Sequence, residues 1–372
     1  MNLLYISSKK NWGGVTNWMH RTALGLQQKG HQVWILAHPA GRLVRSASPQ
    51  LSIVPKKLGM DYNPWMVFFL RRFIRKNGVQ LVLTNIEKEV IAGGLASRLC
   101  RIPNVRRVGR EDDFNERLRV QWHHRLLVDR CIVPCNAVRE NAVKRAPWLD
   151  KTRFTTIYNG RNPVQYSKRE IHDQRARWGL SPEHIVIGVT TQLSRVKRVD
   201  RLVRVFKEIG EACSDCRLVV SGEGPEAANL AAMANGLGIE DRVVFAGFSA
   251  DPMKAAAAYD IAVSSSSFEG FPNTVVEYLA AGRPVVSTDT GGVAEMVASM
   301  QNGVLVPNGD EKKLRDAILM LLSKPDLMNR LSQNALKTVE ERFSEDGMLN
   351  RLEKFFSDAI QGSQSPFDEG GL

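Results

Sequence analysis

The chain has 372 residues, enough for two domains of ordinary size, and its 43% hydrophobic and 24% charged content is that of a globular protein with buried cores. It contains no run of eighteen or more apolar residues, which excludes a helix that spans a bilayer. The net charge of +12 is lopsided: residues 1–160 hold 27 basic and 10 acidic side chains, a net of +17, against −5 for the rest, so the first half suits an anionic partner. Nucleic acid, a membrane surface and a phosphorylated substrate all qualify. The opening MNLLYISSKKNW reads as a first β-strand and not as a secretion leader, which points to the cytoplasm. Five cysteines, Cys100, Cys131, Cys135, Cys213 and Cys216, are expected to be reduced. The Cys-x-x-Cys spacing of the last two has no second pair or histidine pattern that would complete a metal site.

Residues 3–7 form an apolar strand, residues 17–29 a helix capped by Thr16 and closed by Gly30, and residues 32–37 the returning strand. In the intervening loop Gly13 and Gly14 would let a phosphate or sugar approach backbone amides, although their spacing is not that of a dinucleotide fold. Residues 63–76, NPWMVFFLRRFIRK, set Trp65, Phe68, Phe69 and Phe73 on a broad helical face flanked by Arg71, Arg72, Arg75 and Lys76. Such a helix buries its rings in the domain core or lies on an anionic membrane surface, and the two can coexist if only part of the face is buried. Strands at 79–84 and 105–108, a helix at 90–99, and a strand with its helix beginning at 126 complete the half. A polar, aperiodic segment at 163–174 reads as the hinge.

The second half opens with the buried strand 185–190, a loop containing Gln192, Arg195 and Lys197, and a helix from 199. Strands at 217–221 and 243–246 are each followed by glycine turns, Gly222-Glu223-Gly224-Pro225 and Gly247-Phe248. Helices follow at 314–322, 327–339 and 345–360, with a polar, Gly-rich tail behind them. The most informative stretch lies between, at 264–297: SSSSFEGFPNTVVEYLAAGRPVVSTDTGGVAEMV. A strand at 261–263 runs into serines, a turn, and a helix over 274–281 with Pro272 in its first turn and Gly282 as its stop; the next strand spans 284–287. The helix therefore starts at a strand's carboxyl end, where its unpaired amides and positive dipole end suit a phosphate. Glu269 precedes that helix, and Glu277 shares a face with Asn273 one turn inside it.

This combination, with Glu269 and Glu277 flanking seven residues, then Gly282 to Val286 and Gly291-Gly292-Val293-Ala294-Glu295, resembles the signature of retaining family 4 glycosyltransferases. The resemblance covers nearly the whole chain. It implies an α/β protein of the GT-B type, two Rossmann-like doubly wound domains facing a cleft, with a C-terminal helix that crosses back to the first. The expected boundaries are 1–162 for the acceptor side, 163–344 for the nucleotide-sugar side, 345–361 for the crossover helix and 362–372 for a flexible tail. It also implies that Lys197, with Arg195 standing in where Gln192 replaces the usual arginine, neutralises the donor diphosphate, and that Glu269 attends the donor sugar. Gly13, Gly14, Gln192, Gly222, Phe248, Phe271, Pro272, Asn273, Thr274 and Glu277 would bind the donor, Glu277 through the ribose hydroxyls. No metal and no permanent cofactor are expected; a UDP-, GDP- or ADP-sugar is the donor substrate. The histidine such enzymes often carry on the acceptor side is replaced by Gly109-Arg110, with Arg110 and Glu111 as candidates, while His123 and His124 fall in a later helical stretch.

The expectation is thus a retaining, metal-independent glycosyltransferase acting on a glycan or lipid-linked acceptor such as lipopolysaccharide core. It would be cytoplasmic, with a peripheral contact to the inner membrane through residues 63–76, and would bind no nucleic acid. Two rivals stand beside it. A nucleotide-sugar epimerase or hydrolase on the same fold would need no acceptor, and a basic nucleic-acid-binding protein would explain the charge but shows no helix-turn-helix, zinc-finger or RNP motif.

Overall fold

The computed structural model describes residues 1–11, 13–109, 113, 114 and 117–363. Arg110, Glu111 and residues 364–372 of the expected tail lie outside the described residues. The chain forms two compact units, one made of Met1–Asn159 with the chain from Asp346 onward, the other of Gly160–Glu345.

The first unit is built on seven parallel strands: β1 (Asn2–Ser7), β2 (Gln32–Ala37), β3 (Ser52–Pro55), β4 (Leu81–Thr84), β5 (Asn104–Arg107), β6 (Arg130–Val133) and β7 (Phe154–Thr156), in the order β3-β2-β1-β4-β5-β6-β7. Both faces of the sheet are covered, so the strands read as apolar runs instead of alternating. Leu3 and Tyr5 of β1 face one core, shared with Met348, Leu352 and Phe356 of the C-terminal helix Glu345–Ser363. Leu4 and Ile6 face the other, shared with Met66, Leu70 and Ile74. β3 and β7, at the two edges, are short and half-exposed, and no sequence periodicity announced them.

Two expectations are corrected here, and a third, that for the helix at 63–76, is narrowed. The first helix is Gly14–Gln28, with Gly13 as its N-cap. Thr16 lies inside it, and its hydroxyl bonds back to the Asn11 carbonyl at 3.3 Å instead of capping the turn. The helix Pro64–Lys76 buries Met66, Leu70 and Ile74, while Trp65 stays 81% exposed and Phe68 is exposed as well. Its ring-bearing face is therefore not the core face as a whole. Cys213 and Cys216 are joined as a disulfide at the turn into a strand, not reduced, since that turn brings their Cα atoms to 5.5 Å.

The second unit carries six parallel strands: β8 (Ile185–Thr190), β9 (Cys216–Ser221), β10 (Val243–Gly247), β11 (Ile261–Ser264), β12 (Val285–Thr288) and β13 (Gly303–Val306), in the order β10-β9-β8-β11-β12-β13. Each unit is therefore doubly wound, with its order reversing once: between β1 and β4 in the first, and between β8 and β11 in the second. In β8, Gly188 leaves room for the Tyr259 ring, because a Cβ there would stand 2.2 Å from ring carbons. Gly188→Val is expected to lower unfolding free energy by about 2 kcal/mol or more through overpacking, read as a shift in the urea midpoint at unchanged slope.

Candidate active site

In doubly wound sheets, ligands settle outside the carboxyl ends of the strands where the order reverses. In the second unit those ends are β8, leading into residues 191–198, and β11, leading into residues 265–272. The serines after β11 stitch the two loops together. Ser265 donates to the carbonyls of Lys197 (3.2 Å) and Arg198 (2.9 Å), and Ser267 bonds the Val196 carbonyl through both its amide (2.9 Å) and its hydroxyl (3.1 Å). Ser266 turns the other way and donates to Glu269 Oε1 at 2.7 Å.

The same Glu269 oxygen receives Lys197 Nζ at 2.6 Å. Both side chains are mostly buried, which removes much of the water that screens an exposed pair. Thr190, Lys197, Ser266, Glu269, Thr274 and Tyr278 line one recess. Tyr278 fixes its back wall: its hydroxyl accepts from the Thr190 amide at 2.7 Å and donates to the Thr190 carbonyl at 3.2 Å. Burial and the neighbouring Tyr259 hold that phenol above its ordinary pKa, so it stays a neutral donor. Gly291 lets the Glu269 loop close, since its φ is +54° and a Cβ would lie 1.8 Å from the Glu269 carbonyl oxygen.

The helix Asn273–Ala280 begins at this recess with Pro272 as its N-cap, so Pro272 stands just outside the first turn in which the sequence pattern placed it. Proline offers no side-chain cap, and the Val275 amide bonds the Pro272 carbonyl at 3.1 Å. An ammonium, a carboxylate and a helix N-terminus thus converge on one small volume, an arrangement that can hold an anionic group and stabilise charge that develops on it.

The other sequence candidates are distributed around this centre. Phe271 is buried against the Phe343 ring at 6.2 Å, while Asn273 and Thr274 sit half-buried in the first turn. Gly222 touches the β8 loop so closely that a Cβ would meet the Thr191 carbonyl oxygen at 1.7 Å, so only glycine fits. Gln192 is exposed. Arg195 is 90% exposed and directs Nε to Glu226 at 3.3 Å, away from the Lys197–Glu269 pair. Phe248 borders a separate recess of about 270 Å³ with Trp178, Ser221 and Lys254.

Glu277 is almost wholly buried, and its Oε1 accepts Arg161 Nε at 3.0 Å and Nη2 at 2.7 Å. Arg161 follows the segment 154–160 directly, and no spacing or composition in the sequence singles it out as the partner of Glu277. In the first unit, the reversal between β1 and β4 is organised by the fully buried Glu89, which accepts from the Ser8 amide (2.7 Å), the Ser8 hydroxyl (2.8 Å) and the Asn85 amide (3.0 Å). Gly13 follows in that loop, with nothing within 4 Å of the position of a Cβ.

Two doubly wound, Rossmann-like units in one chain are the GT-B class of fold. Two family models match consecutive stretches: "Glycosyltransferase Family 4" over residues 12–165 and "Glycosyl transferases group 1" over residues 170–338. The chain belongs to this glycosyltransferase family. It is 27% identical over 210 residues to N-acetyl-alpha-D-glucosaminyl L-malate synthase of Bacillus anthracis, covering 56% of this chain and 55% of that protein. It is 26% identical over 294 residues to the lipopolysaccharide core biosynthesis glycosyltransferase LpsD of Rhizobium meliloti, covering 78% and 81%. The chain spans about half the length of the first curated relatives it matches. Among solved structures, Anabaena Alr3699/HepE in complex with UDP superposes with a TM-score of 0.83 at 20% identity, over 96% of this chain and 100% of that one, a likeness of fold.

Arg161→Met should cost about 3–5 kcal/mol, because it strands the Glu277 carboxylate in the interior. Adding Glu277→Gln should return part of that loss, as read by chemical denaturation of both variants.

Proposed function

We propose that the protein is a retaining glycosyltransferase that moves a sugar from a nucleoside-diphosphate donor to a glycan hydroxyl. The observation that carries this reading is the Lys197–Glu269 pair at the opening of the Asn273–Ala280 helix. On this reading the diphosphate lies against the helix amides and Lys197. The bond from the anomeric carbon to the phosphate oxygen breaks early, leaving an oxocarbenium-like sugar. The negative charge growing on the departing phosphate is met by the ammonium and the helix terminus, each preorganised contact contributing about 3 kcal/mol. Glu269 orients the lysine and borders the donor sugar, and Glu277 takes the ribose side. The chemistry needs charge stabilisation, which these residues supply without a metal.

The acceptor we infer is an envelope glycan of the lipopolysaccharide-core kind, presented at the inner face of a membrane. Similarity to LpsD over most of both chains favours this, as does the surface of the first unit. There the exposed Trp65 and Phe68 of one helix are joined by Leu118, Trp122 and Leu126, spaced four apart along the helix Leu118–Leu127, with Arg72, Arg75, Lys76 and Arg125 also exposed. Aromatic and cationic groups mixed in this way suit an interface of anionic headgroups. Among the described residues no helix is long and apolar enough to cross a membrane.

Two outcomes are expected. With radiolabelled nucleotide sugars and truncated lipopolysaccharide cores, label should enter the glycan with retained anomeric configuration, and Lys197→Ala and Glu269→Ala should each reduce turnover at least about tenfold. Near-wild-type rates in both variants, or release of free sugar regardless of acceptor, would reject the assignment. On vesicles containing anionic lipid, the protein should co-sediment in a salt-sensitive way, and Trp65→Ser with Trp122→Ser should abolish this without affecting nucleotide binding.

A further inference from the structure

Away from the Lys197–Glu269 centre, three side chains of the first unit form a continuous hydrogen-bonded chain: Tyr62, His123 and Glu87. The Tyr62 hydroxyl bonds His123 Nε2, and His123 Nδ1 bonds Glu87 Oε1 at 2.9 Å. A carboxylate only accepts, so Nδ1 carries the proton, and in the neutral ring Nε2 accepts from the tyrosine. Arg119 Nε lies 3.4 Å from the same Glu87 oxygen, and its Nη1 is 3.9 Å from Asp61, which fixes the carboxylate from outside.

The placement of the chain is unusual in three respects. Glu87 opens the helix that follows β4, and Tyr62 lies in the connection that follows β3, so both stand on the carboxyl side of the sheet, where open parallel sheets take their ligands. Tyr62 has a φ of +58°, a left-handed conformation that costs an aromatic residue about 1 kcal/mol or more. Its ring is 51% exposed, so core packing does not offset that cost. The adjacent His124 behaves differently. It is boxed in by Phe114, Trp148 and Phe154, and burial, aided by Arg106, pushes it down to about 3, so it is a core residue. His123, one position earlier, is turned to polar partners that end at the half-exposed residue Tyr62.

We propose that the Tyr62–His123–Glu87 chain is an acceptor-binding station, in which the Tyr62 oxygen receives a hydrogen bond from a hydroxyl of the incoming glycan. A phenol oxygen that shares one hydrogen bond with His123 keeps a lone pair that can accept from a hydroxyl donor. His123 and Glu87 are positioning residues that act through Tyr62. The inference rests on the glycosyl-transfer reading and adds to it a specific acceptor contact.

The test is steady-state transfer from a radiolabelled nucleotide sugar to truncated lipopolysaccharide core, alongside calorimetric binding of the bare nucleoside diphosphate and a thermal melt. Tyr62→Phe, which removes one oxygen from an exposed ring, should raise the acceptor KM at least about tenfold. Nucleotide affinity should stay at the wild-type value, and the melting temperature should fall by no more than the few degrees that one unpartnered histidine nitrogen costs. Glu87→Gln should shift the acceptor KM in the same direction by less. An unchanged acceptor KM in Tyr62→Phe overturns the proposal while leaving glycosyl transfer intact. A parallel loss of nucleotide binding, or a melting-temperature loss large enough to leave the protein partly unfolded under assay conditions, also overturns it, in favour of a structural role. Absence of transfer by the wild type to every core tested would remove the glycosyl-transfer reading and this inference with it.

Discussion

The Lys197–Glu269 ion pair can form because two loops that lie seventy residues apart in sequence are tied to each other by serine hydroxyls. A lysine on a free loop would sample many rotamers, and an isolated exposed pair would contribute little. Here Ser265 and Ser267 fix the backbone that carries the lysine, Ser266 fixes the carboxylate, and Thr288 at the end of β12 binds the Ser266 carbonyl at 2.6 Å. Three serines of the run, 265 to 267, are therefore fasteners, two on the backbone and one on the carboxylate. Small hydroxylated side chains suit the task because they reach a carbonyl one strand away without filling the recess.

The two units use the same topological device with different chemistry at the reversal. In the second, a cation and the N-terminal end of a helix meet beside a carboxylate. In the first, a fully buried carboxylate, Glu89, is consumed by backbone and side-chain donors and serves to shape the loop. The positive charge of the first unit is also less available than its sequence total suggests. Arg106 and Arg107 are buried within β5, the former over the Phe114 ring at 4.6 Å and the latter over Trp18 at 4.5 Å, and burial pushes Arg107 down to about 10. Guanidinium groups tolerate such sites because they are weakly hydrated and stack on rings.

The doubly wound architecture was legible because it depends on local signals, apolar runs buried on both faces and glycine turns at strand ends; residues 197 and 269 were brought together only by the resemblance to family 4 motifs. Four features were not. The edge strands β3 and β7 are held by a neighbour's ladder and not by their own pattern. The partner of Glu277 comes from 116 positions away, and nothing in spacing forecasts it. Which part of the Pro64–Lys76 ring face is buried could not be read from spacing: Phe69 and Phe73 pack against the core beside Met66, Leu70 and Ile74, while Trp65 and Phe68 stay exposed. The Tyr62–His123–Glu87 chain joins three separate connections, and only the folded backbone brings them within hydrogen-bonding reach.

The helix Glu345–Ser363 supplies part of the core built on β1, although all of 160–345 separates it from the rest of that unit. Leu349 presses against Gly25 so tightly that no larger residue would fit there without displacing it. On the ribosome, residues 1–159 emerge with the Leu3 and Tyr5 side of their sheet still lacking that cover, and all of 160–345 must follow before it arrives. The interrupted unit is thus the last to mature although it begins first, and its bare apolar side is the surface that a nascent-chain chaperone would meet.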